Sequence, residues 1–559
     1  MTKKNFLLIL ILILAALLRI WRLDLVPVSL FGDEVDVGYH AFSILKTGRD
    51  YLGNFLPINV HSLADVKPAF YSYMTIPTVA IFGISPYGVR LPAALFGILG
   101  VWFFYLFVNK MTENTSLALL SAFLLAISPW HLQYSRWGAE MGAMMAFYLI
   151  GVFFFLKSLL NSRWLILSAV FLGLSIWAYH GAKVFIPISL LAMSIIWRKR
   201  IIRIPKSHLI WSSLGLMLLV FPIFLSSLFG GINRFGSTSI FNKDEIISKV
   251  TSELQYHSGQ FSFAYELLHN RIISWSNILI ANYLHSFSFD FLFINGDSNP
   301  RHNLSGGGEF YKFQLPFLIV GLIFLALKKL DQKIKIFLII WLLSAPLPSV
   351  LTEDGGNHAS RLFFLLPILI FLISMGIYYS WESFRGIYRQ LFVVIITIVA
   401  LTSFIFYQHN YWVHYPKISE KWWHAGFKEA IQSVVSKSGQ YDDVIISQAD
   451  EPALIFLLAW SQYPPAEFQR KYPLVKENME GIGEVSRLDK YYFPPIGKER
   501  GLYELGSILP KNALYLATAK EIRLDLIKEP QRVPSDLIHI QSITYPSGIP
   551  AFYLFRKAI

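Results

Sequence analysis

Two adjacent carboxylates, Asp33 and Glu34, with a third at Asp36, follow the first apolar segment after a short spacer. At a membrane surface such neighbours repel each other and resist desolvation. They persist where a proton, a cation or a substrate hydroxyl needs them; the alternative is a solvated turn. Further polar groups recur at the ends of later apolar segments: Lys67, Arg136, Glu140, His180, Lys183, Arg301, His302, His358 and Arg361. A transporter keeps ionisable relays near the middle of its spans, and these groups lie at span ends instead. Acids with several cations suit a lipid carrying an anionic head, its phosphate held by Lys and Arg.

The elements that position these groups follow from composition. Of 559 residues 54% are hydrophobic and 15% charged, which implies a polytopic α-helical membrane protein. Apolar runs of spanning length fill residues 1–408, and 409–559 reads as a soluble α/β domain. The net charge of +13 comes mainly from short basic clusters between apolar runs, as orientation in a membrane requires, so nucleic acid is set aside. There is no cysteine, which excludes disulfides and thiol chemistry.

Lys3 and Lys4 place the N-terminus in the cytoplasm, and the segment Phe6 to Ile20 is expected to stay as an anchor because it lacks a small-residue cleavage site. The loop 24–67 is then outside, with an amphipathic helix expected over Val35 to Leu45 along the interface. The basic loops Trp197 to Lys206, Lys328 to Lys335 and Arg385 to Arg389 are cytoplasmic, which puts the long loop 230–311, the loop 352–360 and the tail outside. Three apolar runs, near 69–84, 88–108 and 116–130, must supply an even number of crossings. The last ends in Ser128-Pro129-Trp130 and is expected to be tilted, re-entrant or joined to its neighbour, leaving about eleven transmembrane helices. In the tail, helices are expected at Trp422 to Lys437 and Pro452 to Trp460, and strands at Asp443 to Ser447, Ala513 to Ala517, Ile538 to Thr544 and Ala551 to Phe555. No catalytic constellation stands out there.

Asp33-Glu34 after the first segment, Lys67-Pro68, Gly88-Val89-Arg90-Leu91-Pro92, Ser135-Arg136 followed by Glu140, and His358-Ala359-Ser360-Arg361 together resemble the GT-C glycosyltransferases over residues 1 to 408. Within them the order is most similar to the family 39-like branch of protein O-mannosyltransferases and the lipid A aminoarabinose transferase. The resemblance implies a plasma-membrane (inner-membrane) enzyme that takes a sugar from a polyprenyl-phosphate carrier, on the extracytoplasmic face, and inverts the anomeric centre. The acceptor would be a hydroxyl of a glycolipid, a glycan or a protein.

It further implies Asp33 or Glu34 as the base, with Asp33 first, and Lys67, Arg361 and Arg301 at the donor phosphate. Glu140, Arg136, His302 and His358 would serve the acceptor or the sugar. The aminoarabinose transferase has an acid immediately before its Lys-Pro, as part of a metal site with two His; here Val66 stands there and Asp65 one earlier. A divalent metal therefore stays open, with His302 and His358 as ligands or as plain hydrogen-bonding residues. Trp130 and Trp137 are either sugar platforms or members of an aromatic belt. Two rival functions remain: a polyprenyl-linked substrate transporter or flippase, and a non-catalytic assembly protein acting through its tail.

Overall fold

The computed structural model describes residues 3–61, 66–229, 239–242, 248, 252, 270–304, 306–327, 330–353, 355–477, 485–495, 497 and 499–558. Asp65, Ser305, Lys328, Lys329 and most of 230–269 in the long loop 230–311 lie outside the described residues. The chain packs as two compact units, one of residues 1–21 and 93–409, the other of 22–92 and 410–559.

Among the described residues six helices are long and apolar enough to cross a membrane, or seven if one bent pair counts as a span. The expectation of eleven also counts shorter apolar helices such as Trp164–Ala178 and Ala182–Ile196. The helix Gly386–His409 is apolar yet buries none of its residues, as a lipid-facing span requires. The run 116–130 resolves into two helices, Thr115–Ile127 and Pro129–Arg136, bent by 56°. Ser128 at the break has extended backbone and caps the second helix. Pro129 follows at the first helical position, where no N–H is needed.

In the same unit the helices Leu315–Leu327 and Leu365–Ser383 touch backbone to backbone. A Cβ built on Gly321 would stand 1.9 Å from the Leu372 carbonyl oxygen, and one on Gly376 would stand 1.9 Å from that of Phe317. Only glycine allows so close an approach.

In the second unit the helix expected at Val35 to Leu45 runs from Gly32 to Thr47. It does not lie on a surface by one apolar face. Residues Glu34 to Ala41 are all buried, and the helix packs on the helices Phe70–Phe82, Leu454–Trp460 and Pro465–Glu477. Beside it β1 (Asn59–His61) and β2 (Val66–Pro68) form a short antiparallel pair in which Val60 faces Lys67.

The tail builds one six-stranded mixed sheet. Its members are β3 (Asp443–Ile446), β4 (Arg487–Leu488), β5 (Tyr491–Tyr492), β6 (Ala513–Thr518), β7 (Leu537–Thr544) and β8 (Pro550–Lys557), in the order β4-β5-β3-β6-β8-β7. The strands β5, β3 and β6 run parallel, while β8 is antiparallel to β6, β7 to β8 and β4 to β5. Tyr515, Ala517, Tyr553 and Phe555 cover one face with Leu502, Leu505 and Leu509. Of the two expected tail helices, the first begins later, at Phe427–Lys437, because 420–426 are turns, and the second is Leu454–Trp460.

Candidate active site

The two neighbouring acids of the second unit have different fates. Residues one apart on a helix point about 100° away from each other, so one can face inward while the other faces out. Glu34 faces in and is fully buried. Its Oε1 accepts from Arg90 Nε at 2.7 Å and its Oε2 from Arg90 Nη2 at 2.8 Å, a bidentate pair. Oε2 also accepts the Phe31 amide at 3.3 Å, which closes the first turn of the helix. Arg90, equally buried, donates to Leu23 O and Pro27 O at 3.3 and 2.7 Å and to Ser29 O, and lies over the Trp423 ring. The pair thus anchors the loop that delivers the helix.

Asp33 faces out. Its side chain is 59% exposed, and Oδ1 accepts from Lys67 Nζ at 2.6 Å. Its carboxylate sits in the first turn of Gly32–Thr47, where backbone amides and the helix dipole favour negative charge. Lys67 is held at 12% exposure by the β1–β2 pair. Asp36 is buried, with Oδ1 accepting from Tyr51 Oη at 2.7 Å and Oδ2 lying 3.7 Å from His40 Nε2. Arg90, Trp423 and His424 were not candidates in the sequence. His424 accepts the Gly32 amide at Nδ1, 3.2 Å away, directly before Asp33.

The first unit holds a separate cluster. Asp297, His302 and His358 place one potential ligand atom each within 4.8 Å of one another. His302 Nδ1 lies 2.7 Å from Asp297 Oδ2, which also accepts the Ala359 amide at 2.8 Å, and Asp297 Oδ1 accepts that of Asn299 at 2.9 Å. Burial works to raise the Asp297 carboxyl. The hydrogen bond and charge of His302, the charge of His358 and the Asn299 amide outweigh it and hold the group below the usual carboxylate range. The buried Glu309, accepting the Asp297 amide, is pushed well above that range by burial and by the Asp297 charge. One carboxyl is held low beside one held high.

The His302 ring stacks on Trp137 with centroids 5.4 Å apart and lies 4.8 Å from that of His358. His358 Nδ1 lies 2.9 Å from Ser360 Oγ. Arg361 follows, with Nη1 donating to Thr352 Oγ1 at 2.6 Å. Arg301 bonds Asn299 Oδ1 through its amide and Nε, and its carbonyl accepts from Gln133. An Asp and two imidazoles are a donor set suited to a divalent ion such as Zn²⁺, so these residues fit a metal in type and spacing. The sequence candidates included the two His but not Asp297.

Arg136 is buried, and its Nη1 donates to the carbonyls of Leu18, Arg19 and Trp21 at 3.0, 3.2 and 2.9 Å, capping the end of the helix Lys3–Ile20. Glu140 stands half-buried directly before the helix Met141–Ser158. Trp130 and Trp137 are both buried, at 1% and 5% exposure, which removes them from any lipid-facing belt. Trp130 donates Nε1–H to Ala359 O and packs against Phe291, Phe310 and Phe363.

Helices of spanning length and a C-terminal mixed sheet define the chain as a multi-pass integral membrane protein. The profile of the family described as dolichyl-phosphate-mannose-protein mannosyltransferase matches residues 66–225, less than half of the chain. Among solved structures the fold is similar to ArnT from Cupriavidus metallidurans bound to undecaprenyl phosphate. The TM-score is 0.55 at 11% identity, over 99% of this chain and 98% of that one. It is also similar to the oligosaccharyltransferase AglB from Archaeoglobus fulgidus, in complex with an inhibitory peptide and a dolichol-phosphate. There the TM-score is 0.50 at 13% identity, over 89% of this chain and 62% of AglB, so the chain spans about three fifths of that relative's length. At these identities the likeness is one of fold. No curated protein matches the chain in sequence.

Proposed function

We propose that the chain is a membrane glycosyltransferase that moves a sugar from a polyprenyl-phosphate carrier to an acceptor hydroxyl on the extracytoplasmic face, with inversion. The observation that carries this reading is the division of labour between the two acids: Glu34 is committed to Arg90, while Asp33 stays exposed with Lys67 Nζ at 2.6 Å. The family profile begins at Val66, directly before that lysine, and both structural relatives carry a polyprenyl or dolichol phosphate.

In this mechanism the acceptor hydroxyl attacks the anomeric carbon from the face opposite the phosphate. The C1–O bond to phosphate breaks as the new glycosidic bond forms, and Asp33 takes the hydroxyl proton. Lys67 exchanges Asp33 for the carrier phosphate and meets the charge that grows on its leaving oxygen. Exchange of this kind draws the Lys67 ammonium away from Asp33 at the moment a base is needed. Arg361 and Arg301 are assigned to the anionic part of the lipid, and Glu140 to the acceptor or sugar. Asp297, His302 and His358 would hold a divalent ion, which when bound supplies a Lewis acid for an oxygen ligand.

The test is transfer of radiolabelled sugar from a polyprenyl-phosphate donor by the purified chain in lipid. Asp33→Asn is expected to lower kcat on the order of 10²-fold or more with melting temperature unchanged, since an exposed ion pair contributes only about 0–1 kcal/mol. Parental turnover in Asp33→Asn would overturn the assignment.

A further inference from the structure

The tail sheet carries a crevice that the reaction as described does not use. It has a volume of about 540 Å³ and lies wholly within the second unit. Its wall is formed by residues just past the carboxyl ends of two adjacent parallel strands, Asp450 and Glu451 after β3, Lys520 and Arg523 after β6. The chain leaves β3 toward β5 on one side and comes back to β6 on the other. The boundary between β3 and β6 is therefore the point where the strand order reverses, and open α/β sheets bind ligands outside the carboxyl ends of their strands there. The turn before β8 and the segment leading into the helix Phe427–Lys437 complete the wall, and the size suits a small polar ligand.

The charges select its chemistry. Lys421, Lys520 and Arg523 are matched by Asp450, Glu451 and Asp525. A lipid phosphate alone would meet as many carboxylates as cations, so the crevice is not a second donor-phosphate site. Balanced lining favours a ligand with one ammonium and one carboxylate. Lys520 Nζ lies 3.5 Å from Asp450 and 4.0 Å from Glu499 and donates to Ala449 O at 3.3 Å, and Arg523 pairs with Glu499; the Lys421 side chain has no ion-pair partner among the described residues, so it can turn to a ligand. At the rim His424 joins the crevice to the base. Its Nδ1 accepts the Gly32 amide, which leaves Nε2, 3.3 Å from Glu451 Oε1, as the donor.

We infer that this crevice docks the acceptor, and that the acceptor is a peptide segment bearing both a cationic and an anionic side chain beside its hydroxyl residue. The inference takes from the glycosyl-transfer reading only the word acceptor; the binding it describes needs no donor.

The experiment uses the full chain in lipid nanodiscs without donor, and calorimetry with three probes: Ac-Lys-Ser-Asp-NH2, its neutral analogue Ac-Gln-Ser-Asn-NH2, and glucosamine 6-phosphate. The charged peptide is expected to bind about ten-fold or more tightly than the neutral one. Lys520→Gln and Glu451→Gln should each weaken it by a similar factor, whereas Asp33→Asn should leave it unchanged. In turnover the same two substitutions should raise the KM for peptide and leave kcat within about two-fold, since binding lost equally from ground and transition states raises KM alone. Equal binding of charged and neutral peptides, indifference to both substitutions, or tighter binding of glucosamine 6-phosphate than of peptide would each overturn the proposal. Charge-dependent peptide binding without sugar transfer by the parental chain would leave the crevice standing and sink the transfer reading.

Discussion

Removing Arg90 separates a structural acid from a catalytic one. Both members of the Glu34–Arg90 pair have 0% exposure, and the guanidinium also serves three carbonyls of the loop 23–29. Arg90→Ala leaves a buried carboxylate with no counter-ion, a defect that costs about 3–5 kcal/mol. The unit that contains it has residues 22–92 and 410–559, for which a loss of this size corresponds to a fall in Tm of roughly 6–20 °C. Replacing both partners by apolar groups of similar volume, Glu34→Leu with Arg90→Met, removes the stranded charge and is expected to recover most of that loss. The assay is differential scanning fluorimetry of the two variants and the parent, followed by donor turnover on whatever folds. If Arg90→Ala melts with the parent, the pair does not anchor the loop. If the double variant is as stable as the parent yet has lost turnover to the extent of Asp33→Asn, Glu34 takes part in the chemistry and the division between the two acids fails.

Metal analysis of the purified chain should find about one divalent ion per molecule, lost in His302→Ala and in Asp297→Asn; equal metal content in the variants would refute the cluster as its holder. The Asp297 carboxyl is held low, so its contribution to stability is fully present above the ordinary carboxylate range and disappears as pH falls through its lowered value. With chelator present to remove any bound ion, Asp297→Asn should therefore lose stability relative to the parent at pH 7 and converge with it in acid, read as Tm against pH. Glu309 has the opposite sign: its raised value means the folded state keeps a proton that the unfolded state releases, so the parent loses stability as pH climbs above the ordinary range. Glu309→Gln, which keeps the acceptor for the Asp297 amide, should flatten that slope and melt higher than the parent at pH 8. Arg136→Ala should lower Tm by several degrees through loss of three carbonyl caps and leave the KM for donor unchanged.

Sequence pattern reached these features unevenly, for physical reasons. The apolar runs and the β7–β8 pair around Pro546-Ser547-Gly548 were legible because both depend on local periodicity and turn chemistry. The helix behind Asp33 was legible from Val35 onward, but its true start at Gly32 was hidden because acids in a first turn look like loop residues. Which acid faces in was not legible, since the partner of Glu34 lies 56 residues away. Asp297 was not among the sequence candidates because, in a segment dense in turn residues, it does what turn residues do and accepts the Asn299 amide; the same carboxylate serves His302 through its other oxygen. Strands of two residues such as β4 and β5 carry no period at all. The reversal of strand order that makes the tail crevice is a property of topology alone.

The close approach of Gly321 to Leu372 and of Gly376 to Phe317 has a meaning for the Asp297 cluster. The loop with Asp297 and His302 runs into the helix Leu315–Leu327, and the loop with His358 runs into Leu365–Ser383, the two helices that meet at those glycines. The loops that carry the three ligand atoms are therefore tied to a helix pair whose close approach depends on the absence of two methyl groups. Like the pivot of a pair of calipers, the contact sets the opening of jaws that lie beyond it. A single methyl at Gly321 or Gly376 would push the two helices apart, and the loops they carry with them.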